Sequence, residues 1–316
     1  MSMRLVRSRR LASVVAGIGN TPLLRLNSVA RGAPDVEVYV KLEFCNPGGS
    51  VKDRPALRIV EDAIADGRLT ENKTLIDATS GNTGVAYSMV GAALGYRIAL
   101  VMPRNVTKPR KDITRVFGAE IVYSDPMEGS DGAIELARKL VEREPEKYFY
   151  ADQYSNPSNP LSHYHGTGVE ILEAVGDRLT HFVAGLGTSG TMMGTTRRLH
   201  AHSGLVHCVA VEPTEALHGL EGLKHMASSI VPKIYDAGVP DEIMPVGTEE
   251  GWDMADRVAA EEGLHVGHST GANIFAAVKV AERAQHEQGG GCVVTIACDR
   301  GDRYFAPMKW ERRYVW

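Results

Sequence analysis

Short apolar runs alternate with stretches of helical periodicity over most of the chain. Runs at 36–43, 74–79, 97–103, 120–124, 148–152, 181–187, 206–212 and 292–298 read as strands. Their continuous β-branched character suits strands buried on both faces. Helical spacing occupies 55–66, 83–94, 108–117, 131–142, 168–175, 192–200, 248–262 and 272–285. This alternation predicts an α/β protein with parallel sheets covered by helices. The chain has no internal repeat and no low-complexity linker, and Asn46–Pro47 and 155–160 are the best candidate crossings between domains.

Composition narrows the class without naming a function. The 316 residues are 43% hydrophobic and 23% charged, with 33 glycines and 15 prolines, which fits an ordinary globular protein with a large core. A net charge of −4 offers no basic footprint for nucleic acid, and no apolar run approaches the ~20 residues of a membrane helix. The cysteines, Cys45, Cys208, Cys292 and Cys298, lack metal-knuckle or redox-pair spacing, so no metal site is expected. The last three sit in strand-like runs as small hydrophobes, and a reducing cytoplasm is the expected setting. Arg4, Arg7, Arg9 and Arg10 precede any acid, in the manner of a transit peptide. Ordered-looking sequence begins by Gly19, however, so an amphipathic N-terminal helix presenting Leu5, Leu11, Val14 and Val15 is the better expectation.

Three glycine- and hydroxyl-rich turns carry candidate chemistry. In Asn46-Pro47-Gly48-Gly49-Ser50-Val51-Lys52-Asp53-Arg54 a lysine follows a glycine turn. Ser50 and Asp53 have capping-box spacing, which predicts a helix starting at Ser50 with Lys52 in its first turn. An amine near a positive helix terminus is disfavoured as an ammonium, which favours the free base or an imine. A surface lysine is the ordinary reading of such a residue taken alone. Gly185-Leu186-Gly187-Thr188-Ser189-Gly190-Thr191 joins a strand to a helix, where backbone amides and the helix dipole favour an anion. It lacks P-loop and dinucleotide spacing, so a phosphate monoester fits better than a triphosphate. A plain connecting turn accounts for it about equally well in isolation. Thr79-Ser80-Gly81-Asn82-Thr83-Gly84 has the same strand-to-helix context and suits a carboxylate. Gly267-His268-Ser269-Thr270-Gly271 precedes another helix, where Ser269 alone reads as a cap.

Together with Gly19-Asn20-Thr21-Pro22-Leu23, these segments resemble the cysteine synthase and cystathionine β-synthase family of fold-type II pyridoxal-phosphate (PLP) enzymes, in order from Gly19 to Tyr304. The resemblance implies two domains, each a mostly parallel twisted sheet flanked by helices, with PLP in the cleft between them. Residues 47–154 would be the smaller, substrate-closing domain, and 1–46 plus 155–316 the larger, phosphate-binding one. It makes Lys52 the Schiff-base lysine, and Gly187, Thr188, Ser189, Gly190 and Thr191 the phosphate loop. Asn82 would bond the ring 3′-oxygen and Ser269 would face the ring nitrogen. Thr79, Ser80, Gly81, Thr83 and Gln153 would hold the substrate carboxylate. The implied activity is β-replacement, forming L-cysteine from an O-activated serine, O-acetylserine first, and sulfide via an aminoacrylate. A homodimer is also implied.

This chain departs from the family pattern in places. His268 fills a slot that is usually small or apolar, and Cys298-Asp299-Arg300-Gly301-Asp302-Arg303-Tyr304 replaces a hydroxyl-rich turn. No room is expected after Trp316 for regulatory tandem domains. Lys224, in His218-Gly219-Leu220-Glu221-Gly222-Leu223-Lys224, falls where some relatives bind O-phosphoserine, although a solvated loop lysine is an equal reading. Alternatives on the same scaffold are O-phosphoserine as donor, homocysteine as acceptor, dehydratase chemistry, or a catalytically quiet PLP-binding partner.

Overall fold

The computed structural model describes residues 11–304. Its strands are β1 (Leu23–Leu26), β2 (Val36–Leu42), β3 (Thr74–Ala78), β4 (Arg97–Pro103), β5 (Glu120–Ser124), β6 (Tyr148–Tyr150), β7 (His181–Gly185), β8 (His207–Pro213), β9 (Glu242–Val246) and β10 (Gly291–Ala297). The helices are α1 (Asp53–Ala65), α2 (Asn82–Leu94), α3 (Lys108–Val116), α4 (Gly129–Arg143), α5 (Ser158–Ser162), α6 (Gly168–Val175), α7 (Gly190–His202), α8 (Thr248–Glu262) and α9 (His268–Gln288). A single π-helical turn, His163–Thr167, joins α5 to α6.

Two sheets result. A six-stranded sheet has the order β1-β2-β10-β7-β8-β9, and a four-stranded sheet the order β5-β4-β3-β6. All pairings are parallel except β1 with β2. The chain leaves the larger sheet after β2, builds the smaller one, and returns for β7 to β10. Consecutive strand residues face opposite layers. Thus Val293 packs with Val38, Ile274 and Ala277 under α9, whereas Val294 packs with Phe182, Met192 and Ile171 under α6 and α7. In the smaller sheet Leu100 joins Ile59, Val60 and Tyr87 beneath α1 and α2, and Val101 joins Ile76 and Ile134 beneath α4. Each such fully buried large side chain contributes about 1.5–3 kcal/mol. Among the described residues no helix is long and apolar enough to cross a membrane.

The apolar runs located eight strands and eight of the helices, and the structure adds or corrects the rest. Strands β1 and β9 escaped the pattern because both are short sheet edges, half exposed, with Arg25 in one and Pro245 in the other. An edge strand tolerates proline because no ladder bond is lost. The expected amphipathic N-terminal helix reduces, where it is described, to one 3₁₀ turn at Val14–Gly17. Leu11 and Val14 are exposed there, only Val15 packs onto the smaller core, and Leu5 lies outside the described residues.

The capping box at Ser50 does not form. Ser50 makes an antiparallel bridge with Asp299, and α1 begins at Asp53 with Lys52 as its N-cap. Asp53 is drawn off because its carboxylate accepts the Gly48 N–H at 2.5 Å. A side chain at Gly48 would collide with that carboxylate, and Gly49 sits at φ +78°, which explains the glycine pair.

Where β2 hands the chain to α1, three buried charges meet a half-buried fourth, Glu170. Arg54 Nε donates to Glu43 Oε2 at 2.6 Å and Arg54 Nη1 to Glu170 Oε1 at 2.7 Å. Lys41 Nζ lies 2.7 Å from Glu170 Oε2 and 2.6 Å from Thr21 Oγ1, and that hydroxyl donates to Glu43 Oε1. Burial alone would raise Glu43, but Arg54 and Lys41 hold it below the usual carboxylate range. Removing one charge leaves its partners uncompensated in a dry site, which costs ~3–5 kcal/mol. Glu43→Gln is therefore predicted to lose about 3 kcal/mol in urea unfolding. A loss below ~1 kcal/mol would show that the cluster does not stabilise this junction.

Candidate active site

The ends of the two sheets enclose a cleft of about 620 Å³. Lys52, Thr79, Ser80, Gly81, Asn82, Thr83, Gln153, Gly187, Thr188, Ser189, Thr191, Lys224 and Ser269 all line it. Gly190 does not: it opens α7 just behind the wall, where any side chain would strike Asn159. Residues scattered over more than 200 positions thus converge as expected, with Gly190 kept small for packing.

Lys52 rises from the cleft floor at the N-terminus of α1. Its loop is tied to the last strand: Val51 N–H donates to the Cys298 carbonyl at 2.8 Å, and Ser50 pairs with Asp299. Two residues on, Arg54 anchors the same turn in the buried charge cluster. The amine therefore sits on a rigid support.

Between β7 and α7, Ser189 adopts a left-handed conformation at φ +70° as the helix N-cap. Its hydroxyl is buried and has no partner among the described residues. Asn159 Nδ2 donates to Thr188 Oγ1 at 3.1 Å, and Thr191 Oγ1 lies 3.3 Å from His163 Nε2. His163 is fully buried, and burial with the nearby Arg54 charge pushes its pKa down to about 3, so it stays neutral. The π-helical turn brings its Nδ1 to 2.9 Å from Thr167 Oγ1, which leaves Nε2 to orient Thr191. An orphaned hydroxyl, two further hydroxyls and free amides at the N-terminus of a 13-residue helix match a phosphate group. No lysine or arginine stands in 185–191, which suits a monoester.

Across the cleft, β3 runs into α2 through the second turn. Thr83 Oγ1 donates to Gln153 Oε1 at 2.8 Å, and Gln153 Nε2 to the Ala78 carbonyl at 3.3 Å. Gln153 thus braces the turn as well as facing the cleft. Asn82 is already engaged: its Nδ2 donates to Asp299 Oδ2 at 2.6 Å, and its Oδ1 accepts from Arg303. Ser269 lies inside the first turn of α9 behind the N-cap Gly267, so it is no helix cap, and its hydroxyl is left to the cleft and the Cys298 thiol. Burial pushes that thiol up to about 11, which makes it a poor nucleophile. His268 turns away from the cleft, stacked 4.8 Å from the Trp252 ring and tilted 5.2 Å from Tyr304, so it does not crowd Ser269. Lys224 reaches the cleft rather than bulk solvent. Its ammonium stands 5.2 Å over the Tyr154 ring, and burial lowers its pKa despite the opposing Asp131 charge.

His163, Asn159, Asp77, Asp299 and Arg303 are parts of the site that motif reading did not assign. Asn159 lies in 155–160, which in sequence looks like a domain crossing, and His163 follows just after it. A cluster of Asn, Ser and His between two prolines and a glycine was the available signal.

A lysine amine, a hydroxyl- and amide-rich turn without cations, and a second such turn meet in one cleft, an arrangement suited to holding a phosphorylated aldehyde and an amino acid together. Comparison with known proteins agrees. The family model described as "Pyridoxal-phosphate dependent enzyme" matches residues 14–299. The cysteine synthase of Aquifex aeolicus (strain VF5) is 47% identical over 289 residues, 91% of this chain and 88% of that protein. Cysteine synthase B of Pseudomonas aeruginosa is 40% identical over 296 residues, 94% of this chain and 96% of that protein. The crystal structure of a cysteine synthase from Entamoeba histolytica superposes with TM-score 0.91 at 36% identity, covering 97% of this chain and 93% of that one. The chain belongs to the pyridoxal-phosphate dependent enzyme family, and its cofactor is pyridoxal 5′-phosphate.

Beneath the 79–83 turn lies a fully buried acid, Asp77. Burial pushes it up to about 7, against the N–H groups of Gln153 (3.2 Å) and Ala78 (2.8 Å). Asp53, beside Lys52, is likewise raised to about 7 by burial, opposed by the Gly48 N–H and Arg303. A folded pKa above the unfolded value means that stability is complete below about pH 4 and is lost as pH rises through about 7. Melting temperature should therefore fall between about pH 4 and 7 and level off above that, with a shallower slope in Asp77→Asn. An unchanged slope in that variant would show that Asp77 is ionised throughout.

Proposed function

We propose that this protein is a cysteine synthase that forms L-cysteine from O-acetylserine and sulfide by β-replacement. The observation that carries the reading is the meeting of Lys52, the 187–191 cradle and the 79–83 turn in one cleft. Near-full-length similarity to cysteine synthases supports the choice of reaction. PLP, when bound, supplies the electron sink that makes the substrate Cα–H acidic and lets the β-substituent leave.

The chain's own groups divide the remaining work. Lys52 Nζ would hold the aldehyde carbon at rest and, once displaced by the substrate amine, take the Cα proton. Thr188, Ser189, Thr191 and the α7 amides would hold the phosphate. Asn82 would face the ring oxygen, and the Ser269 hydroxyl the ring nitrogen. Thr79, Ser80, Gly81, Thr83 and Gln153 would hold the substrate carboxylate, so that the Cα–H bond points at Lys52. Residues 47–154 would act as the unit that closes over that carboxylate and keeps water out. This reading includes a cytoplasmic homodimer, for which exposed Leu11 and Val14 offer apolar surface.

One observation favours a second donor. Lys224 projects into the cleft, where an ammonium would meet a phosphate leaving group as a point charge. O-phosphoserine is the variant donor that this position suits.

Two measurements test these readings. Borohydride reduction of the purified protein followed by peptide mapping should label Lys52. A label elsewhere, or none, removes the PLP reading altogether. Steady-state kinetics with sulfide should show Lys224→Ala losing roughly tenfold or more in kcat/KM for O-phosphoserine while O-acetylserine changes little. Equal retention of both would leave Lys224 a plain loop residue.

A further inference from the structure

Asn82 is the one group proposed to face the cofactor ring whose amide is gripped at both ends. Asp299 Oδ2 accepts its Nδ2 at 2.6 Å, and Arg303 Nη1 donates to its Oδ1. The second guanidinium nitrogen of Arg303 donates to the Gly48 carbonyl in the glycine turn before Lys52. Tyr304 donates its phenol to Asp299 Oδ2. All three residues belong to the turn that follows β10.

The chemistry of the partners allows only one amide orientation. A carboxylate needs a donor and a guanidinium needs an acceptor, so nitrogen must face Asp299 and oxygen must face Arg303. Flipping the amide would set carbonyl against carboxylate and NH₂ against guanidinium. With its oxygen turned to the guanidinium and one N–H given to Asp299, Asn82 keeps its second N–H as a donor for a ligand.

We propose that Asp299 and Arg303 are positioning residues that lock Asn82 as a hydrogen-bond donor toward the cofactor's ring oxygen. Asp299 is 1% exposed, lines the cleft, and leaves its Oδ1 without a partner among the described residues. Burial raises its pKa, opposed by Tyr304, Asn82, Arg303 and Lys52. Backbone pairing of Asp299 with Ser50 couples the lock to the loop of Lys52, so one turn orients both groups. The proposal rests on the PLP reading above and adds to it a source for the ring-oxygen contact.

The test uses holoenzyme and two readouts besides activity: the rate of cofactor loss on dilution into cofactor-free buffer, and the visible absorption as a function of pH. Asp299→Ala and Arg303→Met free one end of the amide each. Both should release cofactor roughly tenfold faster and shift the pH at which the absorption changes. Asp299→Asn keeps an acceptor for Asn82 and should stay within about threefold of wild type. Arg303 is half buried, so Arg303→Met decides the matter should Asp299→Ala fail to fold. A cofactor-loaded wild type whose Asp299→Ala and Arg303→Met variants match it in both readouts overturns this proposal alone. Wild-type protein that carries no cofactor sinks the parent reading, and this one with it.

Discussion

Lys41, Glu43 and Arg54 leave water together, paired with the half-buried Glu170, where the larger sheet passes the chain to α1. Each charge alone would cost several kcal/mol to bury. As a neutral set, with Thr21 and Asn46 completing the bonding, they can be dry, and dry charges hold their geometry. The cluster also explains the opening signature of the sequence. Gly19, at φ +87°, donates its N–H to Asn46, and Asn20, at φ +49°, donates to Glu170, so a left-handed corner wraps the charges from outside. Lys52 lies two residues from Arg54. Any looseness in this junction would be felt directly as misplacement of the amine, where an error near 1 Å costs heavily in rate.

The opposite wall uses a different source of rigidity. Helix α7 carries its partial positive charge to Gly190 without a cationic side chain, and its N-terminal turn is held by neutral groups: Asn159, His163, Thr167 and Thr191. A protonated histidine there would tighten the grip on phosphate but make it pH-dependent. Burial at His163 removes that option, and the cradle keeps one charge state across the working range. Close packing sets its shape, since a side chain at Gly187 would meet the Gly222 carbonyl and one at Gly190 would meet Asn159.

Much of this was legible in the sequence. Eight strands announced themselves because most are buried on both faces and read as unbroken apolar runs, and the lysine and hydroxyl turns stand at strand-to-helix junctions that spacing alone locates. What escaped has a common cause. Edge strands β1 and β9 carry Arg25 and Pro245 because one side of each needs no partner. Ser50 and Asp53 have the right spacing for a capping box but are claimed by Asp299 and Gly48, tertiary partners that local spacing does not reveal. His163 and Asp77 act through burial, which one isolated polar residue in a sequence does not display. His268 looked like an intruder beside Ser269, but its ring stacks on Trp252, 16 positions earlier, and tilts against Tyr304, and it does not line the cleft.

The distribution of charge within the cleft bears on its chemistry. At the position proposed for the ring nitrogen the chain offers Ser269, a neutral hydroxyl beside a thiol that burial keeps protonated. At the position proposed for the ring oxygen it offers Asn82, backed by a carboxylate, a guanidinium and a phenol. Formal charge is thus concentrated behind the oxygen edge and withheld from the nitrogen edge. A carboxylate at the nitrogen would draw a proton onto the ring and deepen the electron sink; a serine does not demand one. The weaker sink suits a reaction in which Cα–H cleavage and departure of the β-substituent run close together, because little negative charge then has to be stored. The same turn that follows β10 reaches Asn82 through Asp299 and Arg303 and the lysine loop through Gly48, so ring edge and amine move as one body. Under the proposed assignment, selectivity for β-replacement would follow from where the charges stand around the ring, with the buried cluster behind Arg54 fixing the turn that carries Lys52.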